Sequence, residues 1–353
     1  MIHEGWLAPP VTAFDSNARE ALNAYLADYG LDAHPTLVEQ YQTRLAQELL
    51  ALDNGLKRKI VKMHALAEHL ADHGYYTTVL GTASSSLILR VLDLTPVDPI
   101  EYGLWFEIWH GLPSRSRLVL EIPPSAKPTA DLWLAQHGVT HKAAWLVSNE
   151  ALERIPASTL LMPEQSDWIF SIPNQGVPFQ ADLLRHRPDS QGVFLLEKHA
   201  GLNMLVDAIA PRSYAELADA VMLYRPHYLS HGHAQRYISR HQRSDQPFHP
   251  FLEPIRHTGN ILLYLEQVLE MVRQLPQNTH DAQQPLKLMR LLIKNKTAKM
   301  AAELIEQQLL SQKMDPASAG YISNLLQDNA PATLSRAHAL ACAMLIMQTL
   351  AHR

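Results

Sequence analysis

The chain has 353 residues, 47% of them hydrophobic and 18% charged, which allows two domains with a sizeable core and is slightly poor in charge for a globular protein. A formal charge of −5 and a pI near 6.4 argue against nucleic-acid binding by bulk charge and leave room only for a local basic face. Cys342 is the single cysteine, which excludes a disulfide framework and a cysteine-based zinc site; no apolar run nears the ~20 residues of a membrane span and no signal core follows the start, so the chain reads as soluble and cytoplasmic, with no membrane partner.

In chain order, Pro9-Pro10 keep the start irregular, and Asp15-Ser16 are expected to cap a helix running to about Tyr29, with Gly30 as its stop. Leu37, Tyr41, Leu45, Leu49 and Leu52 predict a second helix over 36–52, and Ile60, Met63, Leu66 and Leu70 a third over 56–73, ended by Gly74. The β-branched and aromatic run Tyr75–Leu80 reads as a strand entering the small-residue turn Gly81-Thr82-Ala83-Ser84-Ser85-Ser86, a loop of the kind that cradles phosphate. A short helix over 87–92, a strand over 117–122, a helix over 131–137, a strand over 142–147, a small helix over 149–155 and a strand over 168–172 follow. Residues 75–172 therefore read as a mixed α/β layer.

From Gln191 onward the pattern turns helical, with Val193–Leu196 a last strand or a helix start. Amphipathic helices are expected over 201–209, 213–223, 259–275, 286–295, 297–313, 315–328 and 335–352, the last capped by Ser335. The segment from His227 to Pro254 reads as an exposed polar loop carrying one short helix.

Seven short segments, in order, resemble the alpha subunit of bacterial DNA polymerase III. They are Tyr41–Leu49, Val79–Leu87, Asp98-Pro99-Ile100-Glu101-Tyr102-Gly103-Leu104-Trp105-Phe106-Glu107, Gly192–Glu197, Leu217–Pro226, Leu252–Pro254 with Ile261–Val268, and Ser335–Leu350. The resemblance implies a palm-like α/β sheet of the nucleotidyltransferase kind, followed by a mostly α-helical fingers-like domain. The expected division is an N-terminal helical segment 1–55, a palm-like domain 56–188 and a fingers-like domain 189–353. On this reading the thumb is expected to be missing, because the chain between Glu121 and His141 is too short for it, and no counterparts of the family's flanking domains are expected.

The departures fall on the chemistry. The family's palm strand carries alternate aspartates that hold two Mg²⁺ ions against the transferred phosphorus. By register with Phe106-Glu107 those positions are Val119 and Glu121, and a valine ligates nothing. Asp182 is the one candidate for the third acid, and the turn has Val79 and Leu80 where the family has glycine and arginine. The resemblance therefore implies a degenerate, non-catalytic relative acting as an accessory in DNA replication, repair or damage tolerance. No cofactor is expected, and Mg²⁺ only if catalysis remains; an active nucleotidyltransferase with an atypical site and a protein-interaction adaptor are the alternatives.

The resemblance also points to Gly81, Thr82, Ser86, Arg225, Arg290, Arg336 and His338 as nucleotide or DNA contacts, and the run Lys287, Arg290, Lys294, Lys296 and Lys299 is the best basic face for a DNA backbone. Gln180, Asp182, Leu183 and Leu184 resemble a peptide that docks on the sliding clamp, in which case the same residues do not also bind metal. His227, His231 and His233 lie close in sequence, without the carboxylate or cysteine partners of a metal site.

Overall fold

The computed structural model describes residues 11–111, 118–139, 146–157, 179–187, 189–241, 249–276 and 283–352. These form two compact units, one of residues 1–199 with 340–353 and one of residues 200–339. Both are mostly helical.

In the first unit, α1 (Val11–Asp28), α2 (Pro35–Ala51) and α3 (Asn54–Asp72) follow the apolar spacing. Gly30 and Gly74, at φ 63° and 83°, take the left-handed conformation that ends α1 and α3. α1 starts earlier than expected. Asp15, expected at its cap, instead pairs with Lys57 of α3 at 2.6 Å, and Ser16 donates to the carbonyl of Ala13. α3 does carry a side-chain cap, Asp53, which accepts the Leu56 N–H at its start. The buried faces, among them Phe14, Leu22, Leu45, Ile60 and Leu66, share one core with Leu87, Leu89, Leu118, Leu120 and Ile122.

That core carries a small mixed sheet in the order β1 (Thr78–Val79), β2 (Leu120–Ile122), β3 (Leu146–Ser148), with β1 antiparallel and β3 parallel to β2. Only two residues of the expected Tyr75–Leu80 strand are in the sheet; Tyr75 makes an isolated bridge to Pro156. Period-two alternation sends Val79, Leu120 and Ile122 into the core, while Thr78, Glu121 and Val147 stand abreast on the other side. The first unit also holds α4 (Leu87–Val91), α5 (Glu107–His110), α6 (Lys127–Gln136) and α7 (Ala181–Arg185). α6 begins before its expected start at Asp131, because Pro128 in its first turn is tolerated there. The expected strand over 168–172, and residues 142–145 of the one before it, lie outside the described residues. Val193–Leu196 form neither strand nor helix; Leu195 takes φ 58° within a turn.

The second unit is built from α8 (Ala200–Ile209), α9 (Tyr214–Leu223), α10 (Pro226–Ser230), α11 (His233–His241), α12 (Leu265–Arg273), α13 (Gln284–Leu292), α14 (Asn295–Ser311), α15 (Pro316–Asn329) and the start of α16 (Arg336–Ala351). Two expectations need correction. The segment from His227 to Pro254 is no exposed loop: it contains α10 and α11 and enters a 3-10 helix, Pro250–Thr258, and it buries Tyr228, Ala234, Tyr237 and Phe251. The helix expected from Gly259 begins only at Leu265. Gly259 and Asn260, at φ 64° and 59°, close the preceding 3-10 helix instead of opening the next one.

Candidate functional site

The resembling segments meet at buried carboxylates. In the first unit Glu48, fully buried on α2, accepts from Ser86 Oγ at 2.7 Å and from the backbone N–H groups of Leu87 and Ile88 at 2.9 and 3.1 Å. It also accepts Arg44 Nε at 2.6 Å, and Arg44 donates onward to the carbonyls of Leu104 and Ser85, both at 2.7 Å. One carboxylate and one guanidinium thus tie α2 to the small-residue turn, the start of α4 and the 98–107 segment. Asp98 does the same one layer away: it accepts the hydroxyls of Tyr25 and Tyr41, each at 2.5 Å, and the N–H groups of Ile100 and Glu101. Burial, and the charge of Asp98 after it, push Glu101 up to about 8.

This arrangement turns the predicted phosphate cradle inward. Thr82 and Ser86 are buried, Ser84 and Ser85 donate to the carbonyls of Val79 and Thr82, and Ser86 is held by Glu48. Gly81, at φ 93° and ψ −161°, gives the backbone a conformation that only glycine adopts readily as it leaves β1.

β2 begins only at Leu120; Val119 stands just before it, half-buried two positions ahead of Glu121, while Leu118, Leu120 and Ile122 are buried in the core. Glu121 is half-buried and accepts Asn149 Nδ2 at 2.7 Å; burial raises its pKa and this hydrogen bond opposes the rise. On the same side of the sheet, Tyr76 packs with Leu152, Ile155 and Leu345 and donates to Gln348 Oε1 at 3.1 Å, and the field of Glu121 reaches the buried Cys342 thiol, which burial pushes up to about 12. The last turns of α16 therefore lie against the face that carries Glu121. Asp182 is exposed at the start of α7. Among the described residues no three histidine, cysteine, aspartate or glutamate side chains gather so as to hold a metal ion. A set of one half-buried glutamate beside a valine does not fit a two-Mg²⁺ site.

The second unit repeats both devices. Asp219, buried on α9, accepts the hydroxyls of Tyr264 at 2.5 Å and Tyr237 at 2.8 Å, and burial pushes it up to about 6 against the pull of those hydrogen bonds. Glu266, buried on α12, accepts Ser335 Oγ at 3.1 Å and the backbone N–H of Arg336 at 2.8 Å. Glu266 thereby serves the start of α16, beside the Ser335 expected as its cap. Gln267 locks the entry of α12, its Oε1 accepting the N–H groups of Leu263 and Tyr264.

Around this network the structure gathers part of the predicted basic set. Arg225, at the start of α10, donates to the carbonyl of Ala332, and its charge, after burial, holds His338 below the usual imidazole range. Arg336 lies within the field of Asp219 and Tyr264. Arg290 is half-buried in the last turn of α13, while Lys294 and Lys296 are exposed where α13 gives way to α14. Gln180 and Leu183 are exposed, but Leu184 is buried beneath α7, so an extended clamp-docking peptide would have to uncoil that helix. The sequence reading missed Glu48, Glu266 and Asp219, although each lies within or beside a resembling segment; the signal was an acidic residue at an otherwise apolar, helix-buried position.

Residues 171–313 match the family model of the bacterial DNA polymerase III alpha subunit finger domain. The chain is 27% identical over 186 residues to the DNA polymerase III subunit alpha of Pasteurella multocida, covering 49% of this chain and 15% of that protein. It is 28% identical over 172 residues to the same subunit of Buchnera aphidicola, covering 46% of this chain and 15% of that protein, and 35% identical over 83 residues to that of Aquifex aeolicus, covering 23% and 7%. The chain thus matches a small part of the length of these relatives.

Proposed function

We propose that this chain, alpha-subunit-like through its finger region, works in DNA replication or repair by contacting DNA or the replication machinery without transferring nucleotides itself. In this reading the small mixed sheet is a palm-like remnant and the second unit a fingers-like domain. The supporting observation is the set of side chains on β2 and just before it. Val119 stands two residues before Glu121, Glu121 is tied to Asn149, and the end of α16 lies on that face, so Mg²⁺ has no paired carboxylates to bridge it to a triphosphate. Lys294, Lys296 and Arg290 supply the basic turn for a DNA backbone, with Arg225, Arg336 and His338 as further contacts. Gln180 to Leu184 is the segment for clamp docking.

Primer extension on a primed template with Mg²⁺ or Mn²⁺ tests the reading. The expected result is no template-dependent incorporation. Incorporation that Glu121→Gln or Asp182→Asn abolishes would overturn it in favour of an active nucleotidyltransferase. DNA binding is read separately, by titration over salt, where Lys294→Gln with Lys296→Gln should reduce the salt slope by about 2. Absence of DNA binding at low salt would leave a protein-interaction adaptor.

A further inference from the structure

The first unit holds a cavity of about 310 Å³ on which neither the DNA contacts nor the metal positions draw. One wall is the 3-10 helix Glu150–Arg154, and the other is the chain from Gly192 to Lys198. Both walls are anchored from behind. Asn149, which precedes the 3-10 helix, accepts the Ala151 N–H and donates to Glu121 on β2. Phe194 donates its backbone N–H to Thr349 Oγ1 at 3.1 Å and packs against the cluster of Tyr76, Leu152, Ile155 and Leu345. The shape of the cavity is therefore set by the fold, as in most small-molecule sites.

Its lining divides by polarity. Val193 is buried and Phe194 and Leu195 are half-buried, whereas Glu150, Arg154, Glu197 and Lys198 are exposed, so the inside is apolar and the charges stand at the surface. Two of those charges are spent on each other: Lys198 Nζ lies 2.6 Å from the Glu150 carboxylate. Among the described residues Arg154 and Glu197 make no ion pair, which leaves one cation and one anion uncommitted on the same cavity.

Arg154 is held without a carboxylate. Gly192, at φ 73°, brings its backbone so close that a Cβ there would fall 1.6 Å from Arg154 Nη1, so only glycine leaves room for the guanidinium. The same Nη1 donates to the carbonyl of Gln191 at a long 3.4 Å, and among the described residues Nε and Nη2 keep their donors uncommitted. A guanidinium with two neighbouring N–H donors matches the geometry of a carboxylate.

We propose that this cavity binds a small zwitterion, a free α-amino acid with an apolar side chain, with its carboxylate on Arg154, its ammonium at Glu197 and its side chain over Val193, Phe194 and Leu195. Charge decides between ligands. The two glutamates balance Arg154 and Lys198, so the lining suits a ligand with no net charge and repels a phosphate or a nucleotide. Size points the same way, because about 310 Å³ is at the foot of the range for small-molecule pockets. A peptide carries its ammonium and carboxylate at opposite ends, so a free amino acid is the source that brings both to one small site. The inference goes beyond the reading of lost nucleotidyl transfer and holds whether or not the chain touches DNA.

The test is isothermal titration calorimetry with four probes: L-leucine, leucinamide (no carboxylate), 4-methylpentanoate (no ammonium) and inorganic phosphate. The expected result is a Kd for L-leucine of about 1 mM or below, with leucinamide and 4-methylpentanoate each roughly tenfold weaker. Arg154→Gln should weaken L-leucine roughly tenfold and leave leucinamide unchanged, and Glu197→Gln should weaken L-leucine to a like extent and leave 4-methylpentanoate unchanged. Both side chains are exposed, so both variants should keep the wild-type circular dichroism spectrum. No binding of L-leucine at about 10 mM, phosphate bound as tightly as L-leucine, or the same L-leucine affinity in wild type and both variants would each overturn the proposal.

Discussion

The two units solve one problem in the same way and differ in what surrounds the solution. Each buries an aspartate on which two tyrosine hydroxyls converge, Asp98 with Tyr25 and Tyr41, Asp219 with Tyr264 and Tyr237. Each also buries a glutamate that receives a serine hydroxyl and the backbone N–H groups at the start of a helix, Glu48 for α4 and Glu266 for α16. In the first unit these hubs are closed in: the small-residue turn is buried and its hydroxyls are spent on the chain itself. Its cations are spent as well: Arg44 pairs with Glu48, and Arg90 is fully buried over the Tyr25 ring. In the second unit Arg336 lies in the field of Asp219, Arg225 is half-buried against the Ala332 carbonyl, and Arg236, Lys294 and Lys296 are exposed. The comparison teaches that the carboxylates within the resembling segments hold the fold, while the second unit leaves more of its cations at the surface.

The largest effects come from emptying a hub. Asp98→Ala leaves two tyrosine hydroxyls and two N–H groups without their acceptor and should cost about 3–5 kcal/mol in urea unfolding, whereas Asp219→Ala orphans two hydroxyls and should cost about 2–4 kcal/mol. Equal costs, or a larger one at Asp219, would break the ranking.

A smaller effect separates the hubs by pH. Glu101, pushed up to about 8 beside Asp98, has a folded pKa above its unfolded value, so its contribution is fully present below about pH 4.5 and is lost as pH rises to about 8. Glu101→Gln should therefore match wild type at about pH 5 and exceed it by about 1 kcal/mol at about pH 9, a figure discounted for the partial exposure of the side chain. His64, buried on α3 and pushed down to about 4, works the other way: its contribution is present above about pH 6.5 and is lost as pH falls toward 4, and His64→Gln should flatten that loss. The smallest effects are Tyr41→Phe and Tyr264→Phe, each removing one of several donors at about 1 kcal/mol.

Much of the helical architecture was legible because it rests on local rules. Gly30 and Gly74 stop helices where their φ values demand glycine, and the spacing of Leu37 to Leu52 puts one face of α2 inside. What failed was non-local. The run Tyr75–Leu80 reads as six residues of strand, but pairing needs a neighbour, and β2 offers one only to Thr78 and Val79. Gly259 looks like a helix start until Pro250–Thr258 is seen to end there. The histidines between 227 and 233 masked the burial of Tyr228, Ala234 and Tyr237. The hubs were hidden for the same reason: Glu48 meets Ser86 across 38 residues and Glu266 meets Ser335 across 69, and no pattern within a window connects them. At the site, a valine at position 119 and a single glutamate at 121 are plain in the sequence, while the inward turn of Ser84 to Ser86 required the structure.

The most direct test of the central claim, that the resembling segments are scaffold in both units, is amide hydrogen exchange on Glu48→Gln and Glu266→Gln. The account predicts lost protection at Leu87 and Ile88 in the first variant and at Arg336 in the second, each confined to its own unit, because those N–H groups lose a charged acceptor. Protection at these amides unchanged from wild type in both variants would contradict it.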